Sequence, residues 1–391
     1  MKIEQLKLVN NRDFTRVSAN VVWEDIDRPV AEIYIETTAE FAQDLSCNPN
    51  SFLLACIMVA FYYGEKRVFI DAEICPELHD GLVTAMSWML SWYGLERQLV
   101  QIEAKTKLDV PTIPKVNRAG MFFSGGIDAL ATLRTNRLKF GLEHPASIKD
   151  GLIIYGIANT TLDSFEKAII SLSPIAKDAG INLIPVYTNI YAHVKDLESS
   201  NFKFWKYYFS AAALAAVAHA FNKRLGLVYV ASSFAINYVS PWGTHPLLDP
   251  NYSSYNLQIK HDNIALSRLD KTKLLADWDV GLQNLRVCDQ LTLPHGYLNC
   301  GQCGKCSVTV AALAALGALK KTNVFPLHYI SEELLLKQAH PQDLDDEANY
   351  LSLIPLFESQ NRNDLVRGIK RVSTRFRWKT RLKQLKKIFL E

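Results

Sequence analysis

The chain has 391 residues, of which 49% are hydrophobic and 21% charged, and its formal net charge is +3. Its length predicts two or three domains, and this balance of apolar and charged residues excludes a disordered or low-complexity protein. The longest uninterrupted apolar run has twelve residues, 52–63. A membrane-spanning helix needs about 20, so no span is expected. The first residues show no apolar stretch of the signal-peptide kind, which favours the cytoplasm as the compartment.

Residues 1–112 predict an N-terminal α+β domain. Its β-type runs lie at 30–36 and 67–71, and its apolar helical runs lie at 51–63 and 78–93. Residues 109–115 hold two prolines among seven residues, which is typical of a linker.

Residues 117–325 predict an α/β domain with a parallel sheet and helices on both faces. Short apolar runs indicate strands at 119–123, 151–155, 181–187 and 226–232, with helical stretches between them. Residues 326–391 predict a helical C-terminal region that ends in a basic tail.

The strongest motif is Phe122-Phe-Ser-Gly-Gly-Ile-Asp-Ala-Leu, which lies where the first strand of this sheet meets a helix. Glycine lets the backbone approach an anion closely, and the amides at a helix N-terminus carry partial positive charge. We interpret the motif as a phosphate-binding loop, in which Asp128 caps the helix or holds a metal ion. The candidate residues are Phe123, Ser124, Gly125, Gly126, Ile127 and Asp128. A plain turn with Asp128 as its helix cap is the alternative.

Four of the seven cysteines fall within nineteen residues, at Cys288, Cys300, Cys303 and Cys306. In a reducing compartment, such a cluster predicts a metal site before it predicts disulfides. Four thiolates without a carboxylate suit Zn2+ in a closed, structural site. A [4Fe–4S] cluster and free cysteines in a loop are the alternatives.

The run Ser124-Gly-Gly-Ile-Asp resembles the SGGxDS signature of the PP-loop ATP pyrophosphatases. The resemblance implies that the loop holds the phosphates of ATP, with Mg2+, while a substrate oxygen attacks the α-phosphate. A nitrogen or sulfur nucleophile then displaces AMP from the adenylate. The adenine is expected near Tyr155 and Gly156. Ala129 stands where the family has its final Ser, which removes one hydroxyl contact and leaves the backbone donors.

The order of motifs is similar to that of the 7-cyano-7-deazaguanine synthase family over residues 117–320. The glycine loop is followed by Ser267-Arg-Leu-Asp-Lys-Thr-Lys and then by the four cysteines. The resemblance implies a fold like that of the adenine nucleotide α-hydrolases, zinc on the cysteines, and a conversion of carboxylate to amide and nitrile with ATP and ammonia. It also implies that Lys271 or Lys273 neutralises phosphate charge, with Lys271 and Asp128 as catalytic residues. A solvated helix face is the alternative for the lysines.

The segment 239–252 lies where that family recognises its deazapurine. It is rich in Pro, Trp and Tyr and carries Trp242, His245 and Asp249, so we interpret it as a substrate loop with an altered pocket. An ordered surface loop is the alternative. Residues 1–115 have no counterpart in the compact synthase.

The last 26 residues carry ten Lys or Arg and one acid, whereas the rest of the chain has a net charge of −6. Apolar residues at 369, 372, 376, 382, 385 and 389 predict one face of a helix. This tail could dock on RNA, on an acidic membrane surface or on an acidic partner. Packing on the acidic body of its own chain is the alternative.

Together these features predict an ATP-dependent ligase. It would adenylate a carboxylate or carbonyl oxygen of a small molecule or protein and transfer it to an amine or ammonia, releasing AMP and pyrophosphate. A homodimer is among the expected assemblies. One alternative is a PP-loop tRNA sulfurtransferase, for which a closed four-thiolate site leaves no redox-active cysteine to spare. Another is a nucleotide-binding partner protein that has lost catalysis, which Ala129 favours.

Overall fold

The computed structural model describes residues 1–94, 97–106, 115–157, 161–192, 194, 203–288, 290 and 292–390, without the side chains of 383, 384 and 386–390. The chain is of the α/β class and forms two compact units. The first unit contains residues 1–123, 136–232 and 240–262, and the second contains 124–135, 233–239 and 263–391.

A ten-stranded mixed sheet forms the framework of the first unit. Its strands are β1 (Lys2–Asn10), β2 (Phe14–Val22), β3 (Ala31–Thr38), β4 (Arg67–Ile74), β5 (Gln101–Thr106), β6 (Ala119–Phe122), β7 (Ile148–Tyr155), β8 (Asn182–Thr188), β9 (Leu227–Ala231) and β10 (Gln258–Asp262). Their order across the sheet is β10-β9-β6-β7-β8-β3-β2-β1-β4-β5.

The predicted parallel sheet is one half of this larger sheet. Strands β6 to β10 pair in parallel, and the edge of β8 pairs antiparallel with β3, where Ile35 lies opposite Thr188. The predicted ranges 1–112 and 117–325 therefore both contribute strands to one sheet. That either range folds by itself stays a prediction. Most of the predicted linker, residues 107–114, lies outside the described residues.

Helices cover the sheet of the first unit and bury its apolar residues. They are α1 (Pro49–Tyr63), α2 (Pro76–Tyr93), α4 (Leu162–Ala179) and α5 (Ser210–Ala220), and the turn before α5, Trp205–Phe209, is π-helical. Helix α1 begins at a proline behind the cap Asn48, whose side chain accepts the N–H of Asn50 at 3.1 Å. The middle of α1 is buried on all sides, and the Ser51 hydroxyl donates to the Ala216 carbonyl at 2.6 Å. This explains why the most apolar run of the sequence is a core helix.

The second unit is helical in its described residues. Helix α3 (Ile127–Lys139) has its first nine residues there, and the other helices are α6 (Arg268–Ala276), α7 (Asp279–Gln283), α8 (Gly304–Ala315), α9 (Glu332–Gln338), α10 (Leu344–Leu351), α11 (Ile354–Ser359) and α12 (Asn363–Leu390). The predicted helical region at 326–391 corresponds to α9 to α12.

The basic tail is one long helix, α12, with two different parts. Its first part contributes Leu365, Ile369 and Val372 to the core of the second unit, and Arg371 pairs with Glu332 of α9 at 2.9 Å. From Trp378 onward, the described apolar side chains are exposed. Packing on its own unit therefore describes the first part of the tail only.

Among the described residues, no helix combines the length and the apolar character that crossing a membrane would require.

Candidate functional site

The glycine turn, Ser124 to Gly126, connects the end of β6 to the start of α3. Gly125 has a φ angle of +77°, which residues with a side chain rarely adopt. The Ser124 hydroxyl oxygen accepts the N–H of Gly126 at 3.3 Å, and the N–H of Arg286 donates to the Gly125 carbonyl at 2.9 Å. Two hydrogen bonds within the second unit therefore fix the conformation of the turn.

Asp128, in the first turn of α3, lies between two cations of α6. Its carboxylate is 2.9 Å from the Lys271 ammonium and 3.4 Å from the Arg268 guanidinium. The Lys271 side chain is only 1% exposed. Two positive groups thus meet one carboxylate next to a helix N-terminus, and cations and a helix N-terminus both attract anions.

Helix α6 is held in this position by its own cap. Ser267 and Asp270 form a reciprocal capping box, with the Asp270 N–H donating to the Ser267 hydroxyl at 3.1 Å. The sequence-based prediction missed Arg268, although it lies three residues before Lys271 and therefore shares its helix face. Lys273 differs from Lys271, because its side chain is 50% exposed and pairs with Asp270 at 3.2 Å.

Phe123 and Gly156 belong to the first unit, where both have structural roles. Phe123 is buried, and its N–H donates to the Leu152 carbonyl at 2.8 Å. Gly156 has a φ angle of +97°, and a Cβ atom there would come within 1.7 Å of the Thr188 carbonyl oxygen. The backbone of β8 therefore requires glycine at this position. An adenine contact at Tyr155 and Gly156 stays a prediction.

Trp242, from the predicted substrate loop, packs against the π-helical turn of the first unit. Its ring centroid is 5.1 Å from that of Tyr207, and the Lys206 ammonium lies 4.3 Å from the centre of the Trp242 ring. Distances of this size permit a cation–π interaction, which anchors this end of the loop.

The other two loop residues, His245 and Asp249, are buried in the first unit. The His245 ring is 4.6 Å from that of Trp92, and burial lowers the pKa of His245 to about 4. Asp249 lies 2.7 Å from Nδ1 of His261, and burial raises the pKa of this carboxyl while the bond to His261 opposes the shift. The sequence-based prediction missed His261, which carries no local motif.

The four cysteines of the cluster converge in the second unit. The sulfurs of Cys288 and Cys303 are 3.9 Å apart, those of Cys300 and Cys306 are 3.8 Å apart, and all four lie within 4.8 Å of one another. One metal ion bound at about 2.3 Å from each sulfur would hold them about 3.8 Å apart in a tetrahedron. The cluster could therefore hold a structural metal ion such as zinc.

Cys303 and Cys306 lie at the start of α8, as its N-cap and in its first turn. A hydrogen bond from the Cys306 thiol lowers the pKa of Cys303 to about 5, whereas burial raises the pKa of Cys288 to about 11. The lowered pKa favours the thiolate of Cys303, and thiolates are the form in which cysteine binds metals.

Asn299 joins the segments that carry the cysteines and is completely buried. Its side-chain oxygen accepts the N–H groups of Val287 and Cys288 at 2.8 and 3.1 Å. Its side-chain nitrogen donates to the carbonyls of Leu285 and Val324 at 2.9 and 3.2 Å. The sequence-based prediction missed this residue. Its position directly before Cys300 is the one feature of the local sequence that could have indicated its role.

Compared with protein families, with curated proteins and with solved structures, the chain gives no match.

Proposed function

We propose that the chain is an ATP-dependent ligase of the PP-loop type, similar to 7-cyano-7-deazaguanine synthase. The proposal depends above all on the meeting of Lys271 and Arg268 at Asp128, directly after the glycine turn. Two cations beside a glycine turn and a helix N-terminus support the binding of a polyphosphate.

In this proposal, the amides of the turn and the start of α3 bind the phosphates. Lys271 and Arg268 neutralise charge as it develops on the departing pyrophosphate. Asp128 orients both cations and offers an oxygen to the Mg2+ that accompanies ATP. A substrate carboxylate oxygen attacks the α-phosphorus, and the bond to pyrophosphate breaks. An amine or ammonia then attacks the acyl carbon, AMP leaves with the bonding electron pair, and the nitrogen loses a proton.

ATP affinity tests the proposal first, because it needs no second substrate, and calorimetry measures it directly. Exchange of labelled pyrophosphate into ATP, with candidate carboxylates, then tests the chemistry. We expect Lys271→Gln to lower the exchange rate about a hundredfold and Arg268→Gln about tenfold, because each removes a charge that stabilises the transition state.

Lys273→Gln is the matched control, because this lysine lies two residues from Lys271 on the same helix and pairs with Asp270 instead. It should change both measurements less than twofold. A wild-type chain that does not bind ATP, or an undiminished exchange rate in Lys271→Gln with a normal melting curve, would refute the proposal.

We propose zinc as the metal of the cysteine cluster. One ion with four thiolates suits the short distances between the sulfurs, whereas each thiolate of an iron–sulfur cluster binds a different iron. Elemental analysis should find about one zinc per chain in the wild type and much less in Cys303→Ser. Cys47→Ser, outside the cluster, should keep its zinc. Iron with acid-labile sulfide would contradict the assignment.

The sulfurtransferase alternative has less support from the cysteines outside the cluster. Burial raises the pKa of Cys47 and Cys75, and it raises the pKa of Cys56 to about 12. A sulfur transfer needs a nucleophilic thiolate at neutral pH, which these environments disfavour. The alternative of an inactive partner protein predicts ATP binding without pyrophosphate exchange.

A further inference from the structure

The apolar side chains of α12 change from one side of the helix to another along its length. Leu365, Ile369 and Val372 are buried in the core of the second unit, whereas Trp378, Leu382 and Leu385 are 62%, 52% and 50% exposed. At 3.6 residues per turn, the exposed three lie within about 60° of one another. Their stripe is rotated by about 140° from the buried one. The helices that cover the first part of α12 therefore do not cover this second stripe.

The second part of α12 is also strongly basic. Residues 378–390 contain five Lys or Arg and no acid. Lys379 and Arg381 flank the stripe and are exposed. The segment is about 20 Å long, so an apolar stripe and a dense positive charge occupy the same short surface.

We infer that residues 378–390 are a docking helix for an anionic lipid membrane surface. A helix with Trp and Leu on one side and Lys and Arg around the rest lies in the plane of a membrane interface, with its apolar side in the acyl region. Anionic headgroups then attract the basic side chains.

Two other occupants fit the segment less well. Nucleic acid offers phosphates but no apolar phase for Leu382 and Leu385. A second copy docked tail to tail would place five positive charges against five others. The membrane surface provides both the negative charge and the apolar phase, and the inference does not depend on the proposed ligase activity.

Sedimentation with lipid vesicles tests the inference on the full-length chain. Vesicles of phosphatidylcholine with about one third phosphatidylglycerol should bind the protein at least tenfold more tightly than pure phosphatidylcholine. The variant Leu382→Gln/Leu385→Gln keeps every charge and should bind about tenfold more weakly. The variant Lys379→Gln/Arg381→Gln should also bind more weakly, with a smaller dependence on salt.

Ile170→Gln is the matched control, because Ile170 is an exposed apolar residue of α4, outside the segment. It should bind vesicles as the wild type does. Brominated lipids should quench the fluorescence of the wild type more than that of Trp378→Phe, which reports insertion at this residue.

Several results would overturn the inference. One is a failure of the protein to bind the anionic vesicles. Another is vesicle binding that depends on the basic pair but not on the leucine pair. Tighter binding to RNA that the leucine pair does not affect would assign the segment to nucleic acid instead. If circular dichroism and zinc content are unchanged in every variant, weaker binding to vesicles is not caused by unfolding.

Discussion

Asn299 connects the cysteine cluster to the backbone around it. Its amide makes four hydrogen bonds with backbone groups, and one of them is the N–H of Cys288. Groups behind a metal ligand commonly set the orientation of that ligand. We regard Asn299 as a positioning residue, because it reaches the sulfurs only through the backbone.

Asn299→Ala should leave buried N–H and carbonyl groups without partners. We expect it to lower the free energy of unfolding by about 3 kcal/mol and to weaken metal retention against a chelator at least tenfold. Urea unfolding and zinc release measure the two effects. Asn284→Ala is the control, since Asn284 donates one hydrogen bond, to the Val280 carbonyl at 2.9 Å, and should cost about 1 kcal/mol without zinc loss. Equal losses of stability and of zinc in the two variants would contradict the positioning role of Asn299.

His219 couples the stability of the first unit to pH. It is fully buried, and burial lowers its pKa from 6.5 to about 4, although its Nε2 atom lies 3.0 Å from the Tyr252 carbonyl oxygen. Below pH 6.5 the unfolded chain therefore binds a proton at His219. The folded chain binds this proton only below about pH 4. The stabilisation is complete above pH 6.5 and is lost as the pH falls.

We expect the free energy of unfolding to fall by about 3 kcal/mol through His219 between these pH values. Urea unfolding across this range measures the slope for the wild type and for His219→Gln. The variant should show a flatter slope, whatever its stability at neutral pH. A slope unchanged in His219→Gln would contradict the prediction.

At the scale of elements, α12 combines a structural part and an exposed part in one helix. The first part packs on α9 to α11 through Leu365, Ile369 and Val372, and Arg377 pairs with Glu347 of α10 at 2.6 Å. Removing the whole helix should therefore destabilise the second unit.

Truncation after Asp364 removes four buried apolar side chains, those of Leu365, Val366, Ile369 and Val372, and each such side chain stabilises a fold by about 1.5 to 3 kcal/mol. We expect this variant to melt many degrees below the full chain or to be insoluble. Truncation after Arg377 keeps all four, so thermal melting should be close to that of the full chain. Identical melting of the two truncated proteins would contradict the division of α12 into two parts.

At the scale of the whole molecule, the pairing of β3 with β8 unites strands from distant parts of the chain. The Thr37 hydroxyl donates to the Pro185 carbonyl at 2.7 Å, and Asn189 accepts the N–H of Tyr34 at 2.7 Å. Without β3, the edge of β8 would expose unpaired backbone groups, which promote aggregation.

A fragment of residues 115–391 should therefore aggregate or lose cooperative melting, although the sequence predicts a domain boundary near its start. Co-expression with residues 1–106 should restore solubility, because it returns the missing partner of β8. Size-exclusion chromatography and thermal melting measure both outcomes. A soluble fragment that melts cooperatively by itself would show that the predicted domain is independent after all.

Features that depend on neighbouring residues could be predicted from the sequence alone. The strands at 119–123, 151–155, 181–187 and 226–232 could be predicted, because each is a local apolar run. The cysteine cluster could also be predicted, because three of its four ligands lie within seven residues. The glycine turn and the start of α3 could be predicted as well, because the residues of this motif are neighbours in the sequence.

Features that depend on pairing across long stretches of chain are seen in the folded structure and not in the sequence. The folded structure joined β3 to β8, brought Arg268 with Lys271 to Asp128, and placed Asn299 behind the cysteines. It also divided the basic tail, whose apolar spacing alone suggested a single face. Hydrogen bonds and ion pairs between residues far apart in sequence depend on how the whole chain packs, and so does the burial of each side chain. This packing cannot be inferred from local periodicity.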